Sequence, residues 1–95
     1  LSEDGLVVIV SVVNLSERLL FSGPDIVSRG FVYVKESADL MDKTKKIAEK
    51  TLYKMLDAGI RDMTQIKNSI RDDVAKFISK ETKRKPMILP ILMEV

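Results

Sequence analysis

Histidine and cysteine are both absent from these 95 residues. Zinc is normally held by histidine, cysteine and carboxylates, so only the carboxylates remain to hold a metal. Nucleophile–base pairs built on either missing residue are excluded as well. So are disulfides, which mildly favours a reducing compartment. Long apolar runs are also missing. The longest near the start, Leu6 to Val10, resumes at Val12 and Val13. It is too short to span a bilayer and has no basic flank before it. Internal repeats and low-complexity segments are absent. Sixteen bases against fourteen acids leave only +2, too balanced to argue for nucleic acid by itself. The chain opens on leucine rather than methionine and is expected to be a piece of something longer.

What is present predicts one small domain over residues 1–95. Hydrophobic residues make up 45% of the chain, which argues against disorder. Leu6 to Val13 is rich in β-branched side chains and predicts a strand buried on both faces, or nearly so. Asn14 to Arg18 is polar and turn-like, and Leu19-Leu20-Phe21 reads as the return strand of a hairpin. Ser22-Gly23-Pro24-Asp25 is expected to stop that strand, since glycine permits unusual backbone angles and proline fixes its own. Phe31-Val32-Tyr33-Val34 reads as a further short extended run.

The period then changes to that of a helix. Ser37 is a candidate cap, with Asp39 near the positive end. Leu40, Met41, Thr44, Ile47, Ala48, Thr51, Leu52, Met55 and Leu56 fall on one broad face. Gly59 fits the left-handed position beyond the end. A second helix is expected from near Asp62 or Thr64, with Ile66, Ile70, Val74, Phe77 and Ile78 as its stripe, and Pro86 stopping it. Met87 to Met93 closes the chain as a strand. Pro90 cannot donate to a ladder, so that strand belongs at an edge or carries a bulge. The order β-β-(β)-α-α-β predicts an α+β two-layer sandwich: a three- or four-stranded sheet covered on one face by two helices.

Few residues offer chemistry. Asp72 and Asp73 are adjacent, so on a helix they point about 100° apart and do not converge on a metal. They read as a solvated face, with Asp72 placed four residues before Lys76 for a weak ion pair. No nucleophile elbow surrounds any serine; a serine–lysine dyad, being a spatial arrangement, stays open. Gly23 and Gly30 resemble a phosphate cradle only superficially, with no P-loop Gly-Lys-Ser/Thr after them. The segment Ser22–Phe31 reads instead as a rigid connection. In it Asp25 accepts backbone N–H bonds, and Arg29 pairs with Asp25 or with a loop carbonyl. A contact surface for a partner domain or RNA is the alternative.

Three surfaces remain. Lys43, Lys46, Lys50 and Lys54 share about a quarter of the first helix's circumference and form a stripe able to track a phosphate backbone. Asp39 and Asp57 bracket the stripe, and no aromatic residue interleaves with it, which favours a solvated face. Lys83-Arg84-Lys85 is a compact basic cluster suited to an accessory RNA contact. The closing strand carries more apolar residues than one face of a small sheet can bury, so both its faces are covered or one meets a partner subunit.

Two blocks carry a family resemblance. Ser22-Gly23-Pro24-Asp25-Ile26-Val27-Ser28-Arg29-Gly30-Phe31-Val32-Tyr33 resembles a segment near the end of bacterial ribonuclease J. Thr82-Lys83-Arg84-Lys85-Pro86 through Val95 is similar to that family's closing strand, and Asp4-Gly5-Leu6-Val7 to the start of its C-terminal domain. The resemblance implies a metallo-β-lactamase/β-CASP parent that cleaves RNA both 5′-to-3′ exonucleolytically and endonucleolytically, with zinc in its catalytic domain. It implies a cytoplasmic accessory domain that supports subunit assembly, in homo- or hetero-oligomers, and full activity. No catalytic, cofactor or metal residue carries over, so the chain alone is expected to be inert. Phe31, Tyr33, Ile91 and Met93 are the candidate subunit contacts; Arg29, Lys83, Arg84 and Lys85 are the candidate RNA contacts. The alternative is a free-standing RNA-binding module that uses the Lys43–Lys54 stripe.

Overall fold

In a computed structural model of the chain, residues 4–30 and 37–95 are described. The first strand, β1 (Leu6–Asn14), alternates between buried and half-buried residues along its whole length. Val7, Ile9, Ser11 and Val13 point to one face and are buried. Leu6, Val8, Val10 and Val12 point to the other and stay partly exposed. A strand covered on both faces was expected from its unbroken apolar run. Instead helices cover one face, and among the described residues the other is shielded only by neighbouring strands.

Those neighbours are β2 (Leu19–Arg29), antiparallel to β1, and β3 (Met87–Glu94), parallel to it. The sheet order is β2-β1-β3, so Pro90 lies in an edge strand, where a missing N–H is tolerated. The turn from β1 to β2 is held by Glu17 N–H donating to Asn14 Oδ1 at 3.0 Å, with Arg18 in the left-handed region at φ 57°.

β2 corrects the expected strand boundary. Pairing with β1 runs on through Ser22-Gly23-Pro24-Asp25 to Arg29, so the segment is a strand and not a loop. The glycine and proline are absorbed by an irregularity between Val10 and Val12, where the register shifts. Gly23 takes φ +91° there, and a Cβ on it would lie 2.5 Å from the Val10 carbonyl oxygen. Pro24 is buried in the same place. The expected run at residues 31–34 and the side chain of Ser37 lie outside the described residues.

Two helices follow, α1 (Ser37–Asp57) and α2 (Met63–Thr82). Their buried positions are those of the sequence periodicity: Leu40, Ala48, Leu52, Met55 and Leu56 from α1, and Ile66, Ile70, Val74 and Ile78 from α2. They close on Val7, Ile9, Val13 and Ile88 to form one core. α1 lies over β2 and α2 over β3. α1 ends as expected at Gly59, φ +76°, whose N–H reaches Leu56 O at 2.9 Å while Ile60 N–H reaches Met55 O at 3.1 Å. That paired pattern satisfies two terminal carbonyls. Arg18 adds a third contact, its Nη1 donating to Asp57 O at 3.4 Å, so the hairpin turn is tied to the helix end. Asp62 caps α2 by accepting from Thr64 and Gln65 N–H. The result is the expected α+β sandwich, with three strands among the described residues.

Two substitutions test this packing. Gly23→Ala places a methyl group against backbone and forces a left-handed angle on alanine. It is expected to cost at least about 2 kcal/mol, read as a fall in urea midpoint at constant m. Ser11→Ala is expected to act the other way. The Ser11 hydroxyl is buried without a hydrogen-bond partner among the described residues. Removing it should stabilise the fold by about 1 kcal/mol in the same titration.

Candidate assembly face and interhelical groove

Among the described residues the sheet has one uncovered face. Cross-strand pairing sets side chains there in rows: Val27, Val8 and Leu89 in one, and Asp25, Val10 and Ile91 in the next. Flanking rows are Arg29, Leu6 and Met87 on one side, and Ser22, Val12 and Met93 on the other. Each row is apolar in the centre and on the β3 side, and three of the four end in a polar residue on β2. Met87, Leu89, Ile91 and Met93 are 40–48% exposed, a continuous line of large apolar side chains along an edge strand. Ile88, between the first two, is buried against the helices. The closing strand therefore has one face covered and one open.

The helical layer carries a second feature. A groove of about 410 Å³ between α1 and α2 is lined by Ile47, Lys50, Thr51 and Lys54 from one helix and Asp73, Lys76, Phe77 and Lys80 from the other. Thr51 Oγ1 donates to Asp73 Oδ2 at 2.7 Å across the helix–helix seam. Asp73 is exposed, as expected, and also reaches across to α1. Its neighbour Asp72 pairs with Arg71 Nε at 3.5 Å rather than with Lys76.

The structure redistributes the other anticipated residues. Asp25 and Arg29 lie four residues apart in one strand, about 13 Å along it, so no ion pair joins them. Arg29 Nη1 donates to the carbonyl of Ser28 at 3.2 Å, a backbone carbonyl being the other partner expected for it. The expected pair presumed a tight loop, and the strand replaces that loop. Ile91 and Met93 lie together on the open face. Phe31 and Tyr33 lie outside the described residues. Lys83 is the left-handed cap of α2, donating its N–H to Ser79 O. Arg84 N–H reaches Thr82 Oγ1, and Lys85 N–H reaches Asp4 Oδ2 at 2.7 Å. The backbone of this basic cluster thus fixes the passage from α2 into β3, while its side chains are exposed.

The α1 lysine stripe divides in two. Lys43 pairs with Asp39 at 3.1 Å and Lys46 with Asp42 at 3.5 Å. Lys50 and Lys54 line the groove. Sequence reasoning missed their counterparts on α2. The signal was present: Lys76 and Lys80 repeat the i, i+4 spacing of Lys50 and Lys54 on the next helix of a short-looped hairpin. Phe21, 73% exposed beside the β2 irregularity, was likewise read only as part of the return strand.

Among the described residues no three acidic side chains cluster, and the sequence has no histidine or cysteine to add. No helix among the described residues is long and apolar enough to cross a membrane.

Comparison with known proteins identifies the family. The ribonuclease J C-terminal domain family matches residues 1–95. Ribonuclease J 2 of Streptococcus pyogenes serotype M3 is 38% identical over 95 residues, all of this chain and 17% of that protein. Ribonuclease J2 of Bacillus subtilis strain 168 is 37% identical over the same extent, again 17% of its length. Ribonuclease J 2 of Staphylococcus aureus strain NCTC 8325 is 37% identical over 99 aligned positions. The chain spans about a sixth of the length of these relatives. With a family match from end to end and relatives above one-third identity, the chain belongs to the ribonuclease J C-terminal domain family.

Proposed function

We propose that this chain is a non-catalytic accessory domain of a cytoplasmic, zinc-dependent ribonuclease J and that it supports assembly of the enzyme's subunits. The observation that carries this reading is the uncovered sheet face. Large apolar residues at every second position of β3 leave a continuous patch in water, and such patches mark interaction sites. Polar ends on three of the four rows give the patch the hydrophobic centre and polar rim of a protein interface. An open sheet face suits packing against a second sheet about 10 Å away. The occupant in this reading is another ribonuclease J subunit, identical or paralogous. The parent's cleavage of RNA, exonucleolytic and endonucleolytic, is then carried by residues other than these. The domain contributes by holding catalytic units together.

The test is the oligomeric state of the chain and of a variant that puts charge on the open face. Leu89 and Ile91 are exposed, so Leu89→Glu with Ile91→Lys leaves the core intact. By sedimentation velocity at about 100 μM, a concentration at which a micromolar interface is populated, the unaltered chain is expected to associate. The double variant is expected to remain monomeric with an unchanged circular dichroism spectrum. Equal association of both would remove the sheet face from the assembly role. A strictly monomeric unaltered chain that also fails to bind a full-length ribonuclease J would remove the assembly reading.

A further inference from the structure

The groove between α1 and α2 has no part in that assembly role, and its chemistry is specific. Four lysines, Lys50, Lys54, Lys76 and Lys80, converge on it from two helices, with Asp73 as the one acid in its lining. None of these four lysines is in a salt bridge among the described residues. Lys43 and Lys46, on the same helix, are paired with aspartates. Four cations outside the salt bridges are therefore brought together where the two helices meet, while Lys45 and Lys67 lie outside the groove.

Their arrangement is a track. The Thr51–Asp73 hydrogen bond sets the register of the two helices. With a 1.5 Å rise per residue, the lysines then follow one another diagonally over about 15 Å, from Lys54 through Lys50 and Lys76 to Lys80. Phe77 and Ile47 supply apolar wall beside that line. A half-buried aromatic within a line of cations is the combination that binds single strands: the cations follow the phosphates, and the ring offers a surface on which a base stacks. An acidic peptide would be served by the lysines alone, whereas the part of Phe77 not packed against the core adds a surface that a base can use.

We infer that this groove binds the phosphate backbone of single-stranded RNA, with Phe77 as a stacking surface. The choice of RNA rests on the reading of the chain as part of ribonuclease J; the groove itself is independent of the sheet face. Within an assembled enzyme it is a secondary hold on substrate.

The test is fluorescence anisotropy of the chain with a labelled, unstructured 12-mer oligouridylate. Four lysine–phosphate contacts on a single strand predict a log–log salt slope near −3, or about 50-fold weaker binding between 50 and 200 mM salt. Replacing Lys50, Lys54, Lys76 and Lys80 together by Gln is expected to weaken binding at least about tenfold and to flatten the slope. Replacing Lys43 and Lys46 by Gln is expected to change it less than twofold, since both are already paired. Phe77→Leu retains apolar packing and is expected to weaken binding about fivefold by removing the stacking face. The Leu89→Glu, Ile91→Lys variant is expected to bind RNA like the unaltered chain, which separates this site from the assembly face. Undiminished binding by the quadruple variant, with its spectrum unchanged, would overturn the inference. So would polyglutamate competing as well as unlabelled oligouridylate, which would make the groove a site for acidic protein segments.

Discussion

The structure depends on one strand having to satisfy two neighbours and two faces at once. β1 hydrogen-bonds to β2 on one side and β3 on the other, so its backbone groups are consumed in the sheet. Its alternating side chains then serve separate layers. Val7, Ile9 and Val13 meet the helices, while Val8, Val10 and Val12 form the midline of the open face. The period of two in a strand means that a one-residue slip of β3 would exchange Ile88 for Leu89 in the core and reverse every contact of the closing strand. Core packing thus fixes the register that presents Leu89 and Ile91 outward. Stability and the candidate assembly face come from the same pairing.

Most of the helical layer was legible in the sequence, because helical periodicity and caps are local signals. The stripe Ile66, Ile70, Val74 and Ile78, the start of α2 near Asp62 and the Gly59 terminus all depend on residues within a turn or two of one another. The strands were harder. Gly23 and Pro24 carry strong local signals for a stop, yet the chain continues through them as a strand. An edge position leaves room for a proline, and a register shift opposite Val10 to Val12 absorbs the glycine. The local propensity was real, and tertiary pairing overrode it. The Asp25–Arg29 pairing failed with it, since it presumed a tight loop.

The candidate sites divide along the same line. Ile91 and Met93 could be read from an over-apolar closing strand, because the surplus is visible in composition alone. The interhelical groove could not be read from either helix by itself. Lys50 and Lys54 belong to one amphipathic pattern and Lys76 and Lys80 to another. Only the hairpin, locked by Thr51 and Asp73, makes them neighbours. Arg18 is the same kind of case. Its contact with the end of α1 spans 39 residues of sequence and leaves no local trace beyond a left-handed turn residue.

The two-layer architecture keeps the two surfaces apart. Helices cover one side of the sheet, so the open apolar face and the outward groove lie on opposite sides of the domain. A subunit seated on β3 and β1 therefore leaves the lysines in solvent. The electrostatics favour that separation. An apolar interface gains by excluding water, whereas a phosphate track works through exposed, exchangeable charges whose attraction is screened by salt. Placing both on one face would bury lysines at a dehydration cost that their partners would have to offset. In the proposed roles, splitting them across the sandwich would let this small domain hold a neighbouring subunit on one side while its opposite side stays open to an anionic strand.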